Sequence, residues 1–126
     1  MSTKRSLKVF LPAVIWGMVI IYLSTTGGID LPSTTLFEPD KVGHAGAYGL
    51  LTLLILYGFR ALNGQTTVKW IPQVVVTFFI AAGLGFLMEF VQDRFFPGRM
   101  FEIADEIANI FGTILSIGIF KLLLKL

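Results

Sequence analysis

Cysteine is absent from this 126-residue chain, and histidine occurs once. The first absence excludes disulfides, thiol nucleophiles, cysteine-ligated zinc and an acyl-cysteine anchor. Charge is scarce too. Asp, Glu, Lys and Arg make up 14% of the residues, where soluble domains carry roughly 25%. Eight acidic and ten basic residues leave a formal charge of +2, too mild a surplus to point to nucleic acid. What is abundant is apolar: 55% hydrophobic residues and a mean hydropathy of +0.80. One small domain could not hide that much apolar surface from water, because small domains keep a large surface per volume. The composition predicts an integral membrane protein with a single domain over residues 1–126.

Four apolar stretches follow one another, at about 9–24, 42–59, 70–92 and 105–124. Crossing ~30 Å of hydrocarbon takes ~20 helical residues, with a working range of ~17–25. The first two stretches are short, so snorkelling of Lys8 and Arg60 is expected to extend them. The connections at 25–41, 60–69 and 93–104 hold turn chemistry such as Thr26-Gly27-Gly28, Leu31-Pro32-Ser33, Asn63-Gly64 and Phe96-Pro97-Gly98. Pro12 and Pro72 fall early in their spans, where a missing backbone N–H costs little. Behind Lys4, Arg5 and Lys8 the first stretch also has the look of a signal peptide. Ser24-Thr25-Thr26 is a poor cleavage site, however, so a retained helix is expected. The predicted fold is all-α with four transmembrane helices.

Placing the N-terminus in the cytoplasm puts Lys4, Arg5, Lys8, Arg60, Lys69, Lys121 and Lys125 inside, with Lys41, Arg94 and Arg99 outside. That is the excess the positive-inside rule requires of short loops. All eight acidic residues, Asp30, Glu38, Asp40, Glu89, Asp93, Glu102, Asp105 and Glu106, then lie on or near the outer side. Both termini are predicted inside and the chemistry outside.

Three helix ends converge there. At 100° per residue, Asp40, Lys41, His44 and Tyr48 share an arc of about 100°. Gly43, Gly46 and Gly49 form a separate face that predicts close helix packing. On the third span Ala81, Gly85, Met88, Glu89 and Gln92 share one arc, with Glu89 about one turn inside the helix end. An ionisable residue at that depth is a functional hypothesis by default. Lys41, Arg94 and Arg99 are its candidate partners. On the fourth span Glu102, Asp105, Asn109, Gly112 and Ser116 line an arc of about 80°. The phenylalanines of the loop QDRFFPGRMFEIAD are expected at headgroup level.

The patterns DK-x-x-H-x-x-x-Y (40–48), E-x-x-Q (89–92) and R-x-x-x-x-x-D-x-x-x-N-x-x-G (99–112) occur in this order at successive span ends. Together they resemble the VanZ-like family of small bacterial membrane proteins, whose namesake is associated with teicoplanin resistance. The similarity covers roughly residues 35–118. It implies a bacterial cytoplasmic-membrane protein with signature positions Asp40, Lys41, His44, Tyr48, Glu89, Gln92, Arg99, Asp105, Asn109 and Gly112. One departure is Glu102-Ile103-Ala104, sparser in acids than the family's stretch before the final Asp-x-x-x-Asn.

Several roles stay open for these residues. His44 can clip helices by bonding Glu89 or Asp105, exchange protons, or ligate a metal. With one histidine and no cysteine, no metal and no cofactor is expected. Asp105 can be a solvated helix end, and Glu106 favourable charge at a helix N-terminus. Arg99 can snorkel, pair with Glu89, or grip an anionic headgroup. The expected function is binding of a membrane lipid, an amphiphile headgroup, a lipid-linked cell-wall intermediate or an envelope protein. The alternative is an enzyme modifying a lipid-linked headgroup through His44, Glu89 and Asp105. A proton-coupled carrier ranks behind both, because four spans leave little room for alternating access.

Overall fold

Each apolar stretch becomes one helix, and most helices outrun their apolar cores. The computed structural model describes residues 6–26, 39–64 and 70–124, with side chains in the second segment from Lys41 onward. The side chain expected of Asp40, the turns at 27–33, and Lys4, Arg5, Asp30, Glu38, Lys69 and Lys125 lie outside these. Among the described residues no strand occurs. A 3₁₀ turn, Leu7–Phe10, leads into α1, Leu11–Thr25, followed by α2, Pro39–Leu62, α3, Trp70–Phe95, and α4, Ile103–Leu123. All four are long and apolar enough to cross a membrane.

The first span gains length from its entry. Ser6 Oγ accepts from the Lys8 amide at 3.2 Å, and the 3₁₀ turn adds ~2.0 Å per residue, giving a 19-residue span. The second runs on past charged residues at both ends, Lys41 at its start and Arg60 at its close. Its 24 residues reach about 36 Å, well beyond the 42–59 stretch. It stops at Gly64, whose φ of 68° is the left-handed conformation that closes many helices. Gly98, with φ of 83°, serves the turn after α3. There the Phe96 amide bonds the Gln92 carbonyl at 3.2 Å and the Arg99 amide bonds that of Phe96 at 3.2 Å.

Burial is inverted relative to a soluble protein. Leu11, Val14, Met18, Phe79, Phe86, Phe111 and Leu122 point outward, while Lys41, Thr52, Thr77, Glu89, Gln92, Asp105, Asn109, Thr113 and Ser116 are buried. Water would penalise so large an apolar surface. Hydrocarbon accepts it and instead forces polar groups together. The threonines are satisfied on their own helices, Thr52 Oγ1 by the Tyr48 carbonyl at 2.8 Å and Thr113 Oγ1 by that of Asn109 at 2.9 Å.

The most extensive interface joins α2 to α4. At one end Phe120 of α4 stacks on Trp70 with centroids 5.7 Å apart and meets Tyr57 edge-on at 4.9 Å. In the middle Gly112 lies against the Ala45 backbone and Gly49 against Ser116 and Gly112. The expected glycine face of α2 is therefore corrected. Gly43 and Gly46 have open space around them among the described residues. The face carrying Lys41, Tyr48 and Gly49 is the one that packs. Helix α1 is more loosely held. Phe10 packs edge-on to Phe59 at 5.1 Å, the Trp16 indole donates to the Ala47 carbonyl at 2.8 Å, and Gln92 Nε2 donates to the Ser24 carbonyl at 2.8 Å.

Candidate functional site

The start of α2, the end of α3 and the start of α4 meet at one end of the bundle. The short link 96–102 makes α3 and α4 antiparallel neighbours, so Glu89 and Asp105 face the same space. The link is held by Asp93, whose carboxylate accepts from the Phe101 amide at 3.3 Å. Glu102 is the N-cap of α4. Its amide, unneeded by the helix it precedes, donates to Glu89 Oε2 at 3.0 Å. Asp105 and Glu106 occupy the first turn of α4, where the helix dipole favours negative charge.

Lys41 reaches into this space from α2 and is only 1% exposed. Its ammonium bonds Glu102 Oε2 at 2.8 Å and makes a close ion pair with Asp105 Oδ1. Of the pairings open to Lys41, the structure selects these rather than Glu89. His44, one turn further, stands over the other Asp105 oxygen, with Nε2 to Oδ2 at 3.5 Å. Its Nδ1 lies 3.1 Å from Asn109 Oδ1, and Asn109 Nδ2 points to Glu106 Oε2 at 3.5 Å. Glu106, read from the sequence as simple helix-end charge, thus joins the network. One oxygen or nitrogen each from His44, Glu89 and Asp105 lie within 4.8 Å of one another. The site grades from a buried floor of Lys41, Glu89, Asp105 and Asn109 to a more open rim, with side chains of His44 23% and Glu102 31% exposed.

Comparison of the chain with family models, curated proteins and solved structures finds no match. The site must be judged on its own chemistry.

The other expected positions divide. Lys41, His44, Glu89, Asp105 and Asn109 assemble as one network. Gly112 supports it from below by letting α2 and α4 touch. Tyr48 is buried among Ala13, Ile20, Leu51 and Ile55, within electrostatic reach of Glu106 and Glu89. Gln92 is turned toward α1 and ties Ser24. Arg99 sits half-buried in the link. Sequence reasoning missed Ala45, whose backbone receives Gly112, and Trp16 as a tie. Neither leaves a pattern, since both contacts use a backbone carbonyl that every residue type possesses.

Four carboxylates (Glu89, Glu102, Asp105 and Glu106) crowd these helix ends, and Lys41 pairs with two of them. In so dry a setting each charge interaction is stronger than in water. The arrangement can orient an imidazole beside a carboxylate, present acceptors to hydroxyls or amines, and hold a cation. It is poorly suited to gripping a bare phosphate.

Proposed function

We propose that this chain is a VanZ-like multi-pass protein of the bacterial cytoplasmic membrane that seats the headgroup of an amphiphile between α2, α3 and α4. Both termini are placed in the cytoplasm and the site at the outer leaflet. The observation that carries the reading is the gathering of Lys41, His44, Glu89, Asp105 and Asn109, from three helices, at one end of an otherwise apolar exterior. Holding ionisable groups at such a position is costly unless they serve a purpose. The graded rim suits a ligand whose tail stays in lipid. The excess of acceptors favours sugar hydroxyls or amines, as in a lipid-linked cell-wall intermediate or an amphiphilic glycopeptide, which would connect the chain to teicoplanin resistance.

A second reading is favoured by one observation. Asn109 orients the His44 imidazole from Nδ1 and leaves Nε2 beside the Asp105 carboxylate, where a proton could be exchanged with a substrate group as in general acid–base catalysis. Glu89 beside it would supply the second acid or base of an enzyme acting on a lipid-linked headgroup.

Mass spectrometry of envelope lipids from cells lacking the protein, and from cells complemented with wild type or Glu89→Gln, tests both. For a binder, an amphiphile co-purifies with wild type, is lost with Glu89→Gln, and the lipid profile is unchanged. For an enzyme, a discrete mass change is restored by wild type alone. Neither co-purification nor a profile change would refute both. A periplasmic reporter that is active when fused at Asn63-Gly64 would refute the orientation.

A further inference from the structure

Hydrogen bonding within the protein leaves the polar centre incomplete at one point. Glu89 is 2% exposed. Among the described residues its carboxyl receives one N–H, from Glu102, and otherwise meets the Asp105 carboxyl, although an ionised carboxylate offers about four acceptor sites. Asp105 divides its oxygens, Oδ1 going to Lys41 and Oδ2 facing His44. The roles of His44 follow from its neighbour. Asn109 turns its amide nitrogen to Glu106 and therefore its oxygen to Nδ1. Nδ1 then donates to that oxygen, and Nε2 is the nitrogen that faces Asp105 Oδ2. Nε2 and two carboxylates converge within 4.8 Å, while the Lys41 ammonium meets only the far oxygen of Asp105. A proton can bridge one pair at a time. A divalent ion serves all three.

We infer that His44 Nε2, Glu89 and Asp105 bind a divalent transition-metal ion, with zinc the best match. The imidazole nitrogen argues against magnesium and calcium, which take oxygen ligands. The His44–Asp105 separation of 3.5 Å already equals the ligand spacing of a tetrahedral zinc with ~2.1 Å bonds, about 3.4 Å. Asn109 supplies the outer-shell bond that fixes a ligating histidine, and Lys41 holds the far oxygen of Asp105. Three protein ligands leave a fourth position open. Only the further step, that this position receives an oxygen of the seated headgroup, rests on the amphiphile reading. A bound cation would also let a phosphate approach a site that otherwise repels it. The sequence argues against a metal because histidine is so rare; the fold supplies the missing ligands from α3 and α4.

The single histidine makes the test unambiguous. Full-length protein, freed of any polyhistidine tag, purified in detergent and labelled with ¹⁵N-histidine, is titrated with zinc sulfate. The expected result is one zinc per chain by elemental analysis and a shift of the Nε2 resonance, with Nδ1 still protonated. Glu89→Gln should weaken zinc binding about ten-fold or more, while Lys121→Gln, exposed on the last turn of α4, leaves it unchanged. No shift of either nitrogen at millimolar zinc overturns the proposal. So does a shift at Nδ1, or equal zinc uptake by wild type and a folded Glu89→Gln. If that variant does not fold, the wild-type nitrogen signature decides alone. Zinc binding without amphiphile binding would remove the headgroup reading and leave the metal site standing; the converse would remove the metal site only.

Discussion

Gly112→Ala should open the bundle at its tightest point. A Cβ there would press on the Ala45 backbone, 2.7 Å from its carbonyl carbon and 2.8 Å from its Cα, and closer still to its oxygen. Backbone cannot rotate aside. To reach the 3.4 Å of ordinary contact, α2 and α4 must part by at least about 0.7 Å. The His44–Asn109 bond, 3.1 Å long, would then exceed hydrogen-bonding distance, and the 2.8 Å Lys41–Glu102 contact would weaken. Overpacking costs about 1–3 kcal/mol and each weakened bond about 0.5–1.5 kcal/mol. The alanine returns about 0.5–1 kcal/mol as a better helix former. A net loss of about 1–5 kcal/mol is expected. Gly46→Ala and Gly118→Ala meet no described atom within 4 Å and should be neutral or slightly stabilising. Gly49→Ala should fall between, because the first atom it meets is the rotatable Ser116 hydroxyl, at 2.7 Å. Reversible unfolding in mixed micelles, followed by tryptophan fluorescence, measures the order. Equal stability of Gly112→Ala and Gly46→Ala would refute the packing argument.

Lys41→Met should leave Asp105 and Glu102 without their ammonium and cost about 3–5 kcal/mol. Adding Asp105→Asn should recover part of that loss in a double-mutant cycle, and a Lys41→Met protein as stable as wild type would contradict the pairing. Gly85→Ala places a Cβ 2.7 Å from Asn109 Nδ2 and 2.8 Å from Glu106 Oε2. Both are movable side-chain ends, so the protein should fold normally yet lose amphiphile co-purification; unchanged co-purification would argue against a role for Asn109. Gln92→Leu removes the tie to Ser24 for about 1 kcal/mol, and hydrogen exchange should quicken at the end of α1 while α4 stays protected. Uniform quickening would mean α1 is not independently held.

Helix positions were legible because apolar runs of this length have few other uses. Their ends were not, because α2 continues through the charged residues Asp40, Lys41 and Arg60 that break the apolar run. The inward face of α3 was legible from contrast, small and polar residues on one side and Phe86, Leu87 and Phe90 on the other. On α2 the same logic pointed the wrong way. Glycine permits close approach but does not cause it, and Gly43 and Gly46 have no described neighbour. In lipid the groups that must be hidden are polar, so the Lys41 face is the packing face. The convergence of Lys41, His44, Glu89, Asp105 and Asn109 was readable from periodicity and from the burial cost of Glu89, whereas the turning of Gln92 toward α1 and the entry of Glu106 were not. Pairing was not, since several acids at that end could each have met Lys41. Asp105 wins through the register of α4, which the Gly112–Ala45 and Gly49–Ser116 contacts and the packing of Phe120 set.

The dominance of the α2–α4 interface bears on biogenesis. A ribosome completes α2 long before α4 exists, and the helix made between them does not offer Lys41 its counter-charge. During that interval Lys41 can wait with its ammonium turned toward the headgroups, as a long side chain near a helix end is able to do. Glu89 has no comparable reach and must linger near the translocon or with a proton until the link and the last helix arrive. Emergence of α4 therefore neutralises, desolvates and locks residues inserted earlier. Insertion of α4 and completion of the polar centre are one event.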